Sequence, residues 1–461
     1  MLIIPMNKYR EHIVETLSQL IAKKSVKSAP SLNMPYGKGV FSALIYMLDL
    51  AERLDLESYN LFGHMGMVTY GKGEETLAIL THLDVVPAGD GWDTDPFAAV
   101  EKDGKLYGRG TVDNKGAAIA SLFALYALKE SCTTLNKKVV LLFGCDEESG
   151  WADIDFYKEN YEIPDYVISP DASFPIFNSE KGLLHFDLNM PITTYGSIKD
   201  IKSGSRVNIV PAIAEAVIKA DEQTVKDIVC ESNGAKMSFL EQCGLYTVTS
   251  EGIPAHGAHP EIGLNALTRL IRALRQADLT MGDVEKFIFT LDDLIGLEID
   301  GKTLSIACSD EISGALSVNL GAVSINDGVI NAKVDIRTPI SADIDAIEQK
   351  LAAMFKEKGI EMSLIHKQPP HHVDENNIVV QALKKVYKEY KGEEAECRCC
   401  AGATYARAFG NGVAFGPVDP GKDECEHGPN ENIEIDDVIK LAEMLAAVIV
   451  EIAGSPDANI I

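Results

Sequence analysis

The sequence predicts an α/β fold in two parts. Residues 1–180 and 373–461 form a split domain whose mostly parallel sheet is flanked by helices, and residues 181–372 form an inserted α+β domain. Three observations predict this. Early in the chain, short continuous apolar runs alternate with helical segments, as buried parallel strands joined by crossover helices do. Acidic and histidine residues stand just past the carboxyl end of each run, where open α/β sheets place their ligands. In the middle of the chain the strand patterns instead alternate apolar with polar, as half-exposed strands do.

From Asn7 to about Lys24, Ile13, Leu17, Leu20 and Ile21 fall on one helical stripe, and a second helix fits Gly39–Leu54. Thr76–His82 is a buried strand, Gly116–Lys129 an Ala-rich helix, Lys138–Gly144 a second apolar run and Tyr166–Ser169 a third. The inserted domain begins near Leu183–Met190, a strand of the alternating kind, as is Gly314–Gly321. Between them, Leu267, Leu270, Ile271 and Leu274 mark a helix over Asn265–Ala277. Asn331–Ile336 is a strand and Ala342–Lys358 an amphipathic helix; strand and helix material recurs on both sides of residue 300 without a clean repeat. Pro369-Pro370 marks the boundary. Helices over Ile378–Tyr390 and Asp436–Ile452 then return to complete the first α/β layer.

The 461 residues are 46% hydrophobic and 24% charged, an ordinary globular composition that excludes a disordered chain. With 69 acidic against 42 basic residues the formal charge is −27, which argues against nucleic-acid and anionic-membrane partners. Nine cysteines are too sparse, and odd in number, for a disulfide framework; reduced thiols are expected. Met1–Ile4 is too short for a signal segment, and no apolar run reaches the roughly 18 residues of a membrane span, so a cytoplasmic protein is expected.

His82, Asp84, Asp113, Glu147, Glu148 and Asp171 gather at the tips of successive strands. Carboxylates packed so closely repel, and without a cation several would have to hold protons. Two divalent metals remove that cost. Mixed imidazole and carboxylate ligation suits Zn²⁺, Mn²⁺ or Co²⁺ better than the all-oxygen sites of Ca²⁺ or Mg²⁺.

Four segments occur in order: Thr81-His82-Leu-Asp84-Val-Val-Pro87, Gly91-Trp-Asp-Thr-Asp-Pro-Phe97, Gly108-Arg-Gly-Thr-Val-Asp113-Asn-Lys-Gly116 and Asp146-Glu147-Glu148-Ser-Gly150. Together they resemble the di-metal peptidase family of carboxypeptidase G, aminoacylase, acetylornithine deacetylase, succinyl-diaminopimelate desuccinylase and the bacterial dipeptidases. The resemblance implies a catalytic di-metal domain (1–180 and 373–461) and a lid (181–372). It implies that His82 and Asp171 hold one metal, that Glu148 and His427, within Glu426-His-Gly-Pro-Asn-Glu431, hold the other, and that Asp113 bridges them across a cis Asp113–Asn114 peptide. Asp84 would orient His82. Glu147 would be the general base, taking a proton from a metal-bridging water and passing one to the leaving amine. Zn²⁺ is the expected ion, with Mn²⁺ or Co²⁺ as alternatives.

In the lid, Ala255-His256-Gly257 resembles the motif whose His polarises the scissile carbonyl, and Val207-Asn208-Ile-Val-Pro211 the motif whose Asn binds the substrate or its transition-state oxygen. Val334-Asp-Ile-Arg337-Thr-Pro339 resembles a strand ending in a carboxylate-binding Arg, and Ala401-Gly402-Ala403-Thr404-Tyr405 a loop whose backbone approaches substrate. A lid of this length is similar to that of the carnosinase-like and Xaa-His dipeptidases. It implies metal-dependent hydrolysis of dipeptides by a monomer; the alternative is an N-acyl-amino-acid deacylase such as a desuccinylase. His259 is the competitor of His256 for its role but falls where the motif is not fixed, and His185 and His366 match no chemical motif.

Overall fold

The computed structural model describes residues 4–422 and 425–455. They divide into two compact units. One holds the described residues up to Ser179, His372–Arg398 and those from Ala403 onward; the other holds Glu180–His371 and Cys399–Gly402.

The first unit is built on a sheet with strand order Glu57–Leu61, Met65–Tyr70, Lys138–Gly144, Thr76–His82, Tyr166–Ser169, Gly412–Ala414, Ile176–Glu180. The four strands from Lys138–Gly144 to Gly412–Ala414 run parallel. The flanking pairings are antiparallel. The three apolar runs of the sequence therefore supply three of the parallel strands, and their residues are buried almost throughout because helices cover the sheet. The predicted first helix starts as a 3₁₀ turn, Met6–Tyr9, and becomes α-helical over Arg10–Ile21. Helices Lys115–Glu130 and Ile435–Ala453 pack on each other within the same core, so the C-terminal segment does complete the first layer. Their buried alanines, among them Ala117, Ala120, Ala124, Ala446 and Ala447, allow that close approach. Lys115 is fully buried, and its ammonium donates to the carbonyls of Leu20 (3.2 Å) and Lys23 (2.8 Å) at the end of the first helix.

The second unit is an eight-stranded antiparallel sheet with order Lys236–Gln242, Leu245–Glu251, Ile213–Ile218, Ile198–Ser203, Ser317–Asn326, Val329–Thr338, Gly182–Pro191, Glu361–Gln368. Alternation sorts its two faces. Leu184, Phe186, Val318, Leu320, Val334 and Ile336 join a core with helices Glu222–Cys230, Ala266–Gln276, Asp283–Leu294 and Ile344–Glu357. The intervening residues His185, Ser317, Asn319, Asp335 and Arg337 form a buried polar face. Among the described residues the cysteines form no disulfide. Among the described residues no helix is long and apolar enough to cross a membrane.

Candidate active site

Parallel register brings the strand tips of the first unit level: His82 lies beside Gly144, three residues before Glu147. Gly144 is glycine because the Tyr405 ring packs on its backbone; a Cβ there would lie 2.4 Å from the ring. The Tyr405 hydroxyl donates to Asp153, whose Oδ2 also accepts the backbone N–H groups of Cys145 (2.6 Å) and Asp146 (3.0 Å), fixing the chain as it leaves the strand. Burial pushes the Asp153 pKa up to about 7, with the hydrogen bonds from Tyr405 and from the Cys145 N–H opposing.

Asp84 holds the next turn. Its Oδ1 accepts the N–H of Glu147 and its Oδ2 that of Glu148, both at 3.1 Å. The His82 ring is instead oriented by the backbone carbonyl of Asp84, 3.0 Å from Nδ1, while the Asp84 carboxylate stays 3.5 Å away. So the carboxylate presents the two glutamates and the main chain orients the imidazole.

With Nδ1 committed, Nε2 of His82 faces Asp113 Oδ1 at 2.7 Å, with Asp171 Oδ2 at 3.7 Å. The other oxygen of Asp113, Oδ2, faces Nε2 of His427 at 2.8 Å, and Glu148 Oε2 lies 3.1 Å from the same nitrogen. Two three-residue clusters with metal-ligating potential result, His82–Asp113–Asp171 and Asp113–Glu148–His427, sharing Asp113. The Asp113–Asn114 peptide is cis. Asn114 Nδ2 donates to Asp171 Oδ1 at 2.7 Å and to the Pro170 carbonyl at 2.8 Å, turning Asp171 toward His82.

The electrostatics fit divalent cations. Burial disfavours charge on both imidazoles, yet Asp113 and Asp171 hold His82 well above the ordinary value, and Asp113 and Glu148 raise His427 to about 11. Burial and then the neighbouring Asp113 raise Glu148 to about 7; burial also raises Asp171 to about 7, with His82 opposing. Glu148 Oε1 is buried without a hydrogen-bond partner. A carboxylate shared by two imidazoles, with an orphaned acceptor beside it, is a donor set that two divalent ions satisfy.

The second unit assembles another group of predicted residues. A short ladder pairs Ile209 with His256, and Gly257 donates to the Asn208 carbonyl at 2.7 Å. This loop pair rests on the polar sheet face. Asn319 Nδ2 donates to the carbonyls of Val207 (3.1 Å) and Ile209 (3.0 Å), which flank Asn208. A Cβ on Gly257 would lie 2.6 Å from Asp335 Oδ2. His256 Nδ1 accepts the N–H of Ala258 at 3.2 Å, so the neutral ring carries its proton on Nε2. Burial, and then the charge of Arg337, lower the His256 pKa and keep it neutral.

Arg337 is 2% exposed. Its Nε and Nη2 form a fork on Asp335 at 2.7 and 3.0 Å, and Nη1 donates to the Ala401 carbonyl at 2.8 Å. Nη2 also lies 3.5 Å from His185 Nε2, and one N–H of Nη1 remains outside these contacts. His185 Nε2 donates to Asp335 Oδ1 at 3.0 Å, completing a buried Arg–Asp–His cluster. Gly402 N donates to Cys400 Sγ at 3.2 Å, and Thr404 caps the 3₁₀ turn Tyr405–Arg407 by accepting from Ala406 N. Gly402 thus belongs to the second unit, and Ala403 and Thr404 to the first. His259 is exposed and pairs with Glu261.

Comparison with known proteins places the chain. The pattern of peptidase family M20/M25/M40 matches residues 78–451. The chain belongs to this family. A Bacillus subtilis (strain 168) member named "Putative dipeptidase YtjP" is 32% identical over 457 residues, covering 96% of this chain and 98% of the relative. Among solved structures, human carnosine dipeptidase 1 shares the fold at 16% identity and TM-score 0.62, covering 97% of each chain. The di-peptidase Dug1p of Saccharomyces cerevisiae does so at 16% identity and TM-score 0.61, covering 98% of each. As an M20 family member the chain has a mixed α/β fold with a candidate metal site.

Proposed function

We propose that this protein is a metallo-dipeptidase that hydrolyses unblocked dipeptides with two divalent ions, Zn²⁺ first among Zn²⁺, Mn²⁺ and Co²⁺. The observation that carries it is Asp113, whose two oxygens face the imidazoles of two separate ligand clusters. His82 and Asp171 would hold one ion, Glu148 and His427 the other. When bound, the ions supply Lewis acidity and lower the pKa of the attacking water. Glu147 takes the proton of that water and delivers it to the leaving amine. His256, neutral with its proton on Nε2, donates to the scissile carbonyl as charge develops on it, and Asn208 assists. The Arg337 donor capacity outside its contacts with Asp335, Ala401 and His185 holds the substrate carboxylate. The loop Gly402, Ala403 and Thr404 presents backbone to the substrate. Every proposed group comes from one chain, so a monomer is active and specific activity is independent of dilution.

The dipeptide assignment is supported by the B. subtilis relative's name across nearly its whole length and by the single carboxylate-reading arginine. Its test is the metal-free protein with each ion added back, assayed on Ala-Ala, Ala-Ala-Ala, Ala-Ala-amide and N-acetyl-Ala. Ala-Ala should be the best substrate. Arg337→Ala should lower kcat/KM for Ala-Ala by roughly 30- to 10³-fold, about 2–4 kcal/mol, and shrink the Ala-Ala to Ala-Ala-amide ratio. Because it compares two substrates on one preparation, the ratio is insensitive to the folded fraction. Equal rates on dipeptide and tripeptide would reject the dipeptidase assignment, and preference for N-acetyl-Ala would move the protein to the deacylases.

A further inference from the structure

We infer that the buried Arg109–Glu431 ion pair is a clamp that holds the two ligand-bearing loops in register, with a different task for each partner: Glu431 positions Asp113 and Arg109 positions His427. The inference rests on the two-metal reading of the site.

Glu431 has no exposed surface, and Arg109 is 1% exposed. They meet at 2.7 Å through Oε2 and Nη1, across 322 residues of sequence. The remaining capacity of the Glu431 carboxylate goes to backbone. It accepts N–H groups of Gly110 (3.0 Å), Val112 (3.0 Å) and Asp113 (3.3 Å), and the Glu431 carbonyl accepts Gly108 N at 2.9 Å. Gly110 itself has φ +91°, so the turn that aims Asp113 is wound around this carboxylate. Because Asp113 is shared by both clusters, Glu431 acts on both.

Arg109 reaches the other loop. Its Nη2 donates to the Gly428 carbonyl at 3.1 Å and to the Ala88 carbonyl at 3.2 Å, and its guanidinium lies 5.2 Å from the Trp92 ring centroid. Gly428 follows His427 directly. Cys425, His427 and Asn430 all have positive φ, of 54°, 58° and 61°. Non-glycine residues adopt that conformation infrequently, and surroundings that enforce it help them hold it. The circuit from His427 through Glu431 to the 108–113 turn, and from Arg109 back to Gly428, supplies the enforcement. Besides Glu431 and Ala88, Arg109 contacts the loop of His427 at Gly428, next to a ligand that serves one cluster only, so it bears most directly on the Asp113–Glu148–His427 cluster.

A pair that served stability alone would lower the melting temperature without changing how the folded protein binds metal. The test is therefore calorimetric titration of metal-free protein with Zn²⁺ and with Mn²⁺, beside thermal melts of the metal-free forms. Glu431→Gln should weaken both metal affinities by about 10–100-fold, the range for residues that orient metal ligands. Arg109→Lys keeps the charge but loses the reach to Gly428, and should weaken one affinity by about 10–100-fold and the other clearly less. Arg272→Gln in the second unit, which breaks a half-buried contact to Asp292 at 2.8 Å, should lower the melting temperature and neither affinity. If Glu431→Gln does not fold, Arg109→Lys decides. Two ions bound at native affinity by both clamp variants would overturn the inference alone. Fewer than two ions on the native chain would overturn the two-metal reading, and the inference with it.

Discussion

Replacing Glu147 with alanine should lower kcat by about 10²–10⁴-fold, roughly 3–5 kcal/mol of transition-state stabilisation, while both metals stay bound. Glu147 belongs to neither ligand cluster. Its backbone N–H is held by Asp84 at 3.1 Å, and its carbonyl accepts the Trp151 indole N–H at 2.9 Å, so the side chain is carried by a fixed main chain. Burial raises its pKa well above the ordinary carboxylate value; Asp171, Glu148 and Asp113 add to this and His82 opposes it. A carboxylate with raised proton affinity is suited to accept a proton from water and return it to an amine. With divalent cations bound beside it, the Glu147 carboxylate would have a lower proton affinity than this, nearer the range where both transfers are fast. Turnover and metal content measured on the same sample decide the role. Near-native turnover at full metal content would remove Glu147 as the base, and simultaneous loss of metal would make it a ligand.

The residues that were legible in the sequence are those whose environment is uniform along the chain. Thr76–His82, Lys138–Gly144 and Tyr166–Ser169 lie in a parallel region buried on both faces, so each is a continuous apolar run with the structure's own boundaries. Edge strands carry no such signal. Glu57–Leu61 and Lys236–Gln242 are mostly exposed, and the sequence pattern passes over them. Helix Asp283–Leu294 buries Val284, Phe287, Ile288 and Leu291 at helical spacing, a stripe that was there to be found. Site residues behave alike. The strand-tip position announces His82, Asp84, Glu147, Glu148 and Asp171 before any partner is known. The target of the Asp84 carboxylate is not announced, because it is backbone, and backbone N–H groups have no sequence signature. Asp335 had a signal: it lies two residues before Arg337 on a strand, hence on the same face. His185 is brought to them by pairing between strands about 150 residues apart in sequence, and Arg109 and Glu431 by a still longer closure, which no local pattern encodes.

Asp113→Asn should cost about 10²-fold or more in affinity for at least one metal and should also change how metal binding depends on pH. The substitution preserves shape but leaves one acceptor oxygen where two ligand clusters now share a carboxylate. Direct loss of a shared ligand should exceed the effect of residues that merely orient ligands. The pH effect follows from His427. In the metal-free protein burial works against its charge, but Asp113 and Glu148 raise its pKa from 6.5 to about 11. The protonated ring therefore contributes stability to the metal-free fold that is fully present below the ordinary imidazole value and lost only as pH climbs through the raised one. A metal must displace that proton, so native affinity should rise with pH, about tenfold per unit for each proton released. In Asp113→Asn the strongest hydrogen-bonding holder of the proton is neutral. The His427 pKa moves back toward its ordinary value, the proton competes less, and the pH slope becomes shallower although the affinity is weaker. Metal titrations of native and variant protein across about pH 6–9 measure both quantities. Parallel slopes would show that Asp113 does not govern the His427 proton, and unchanged affinity would show that the two ions do not share it.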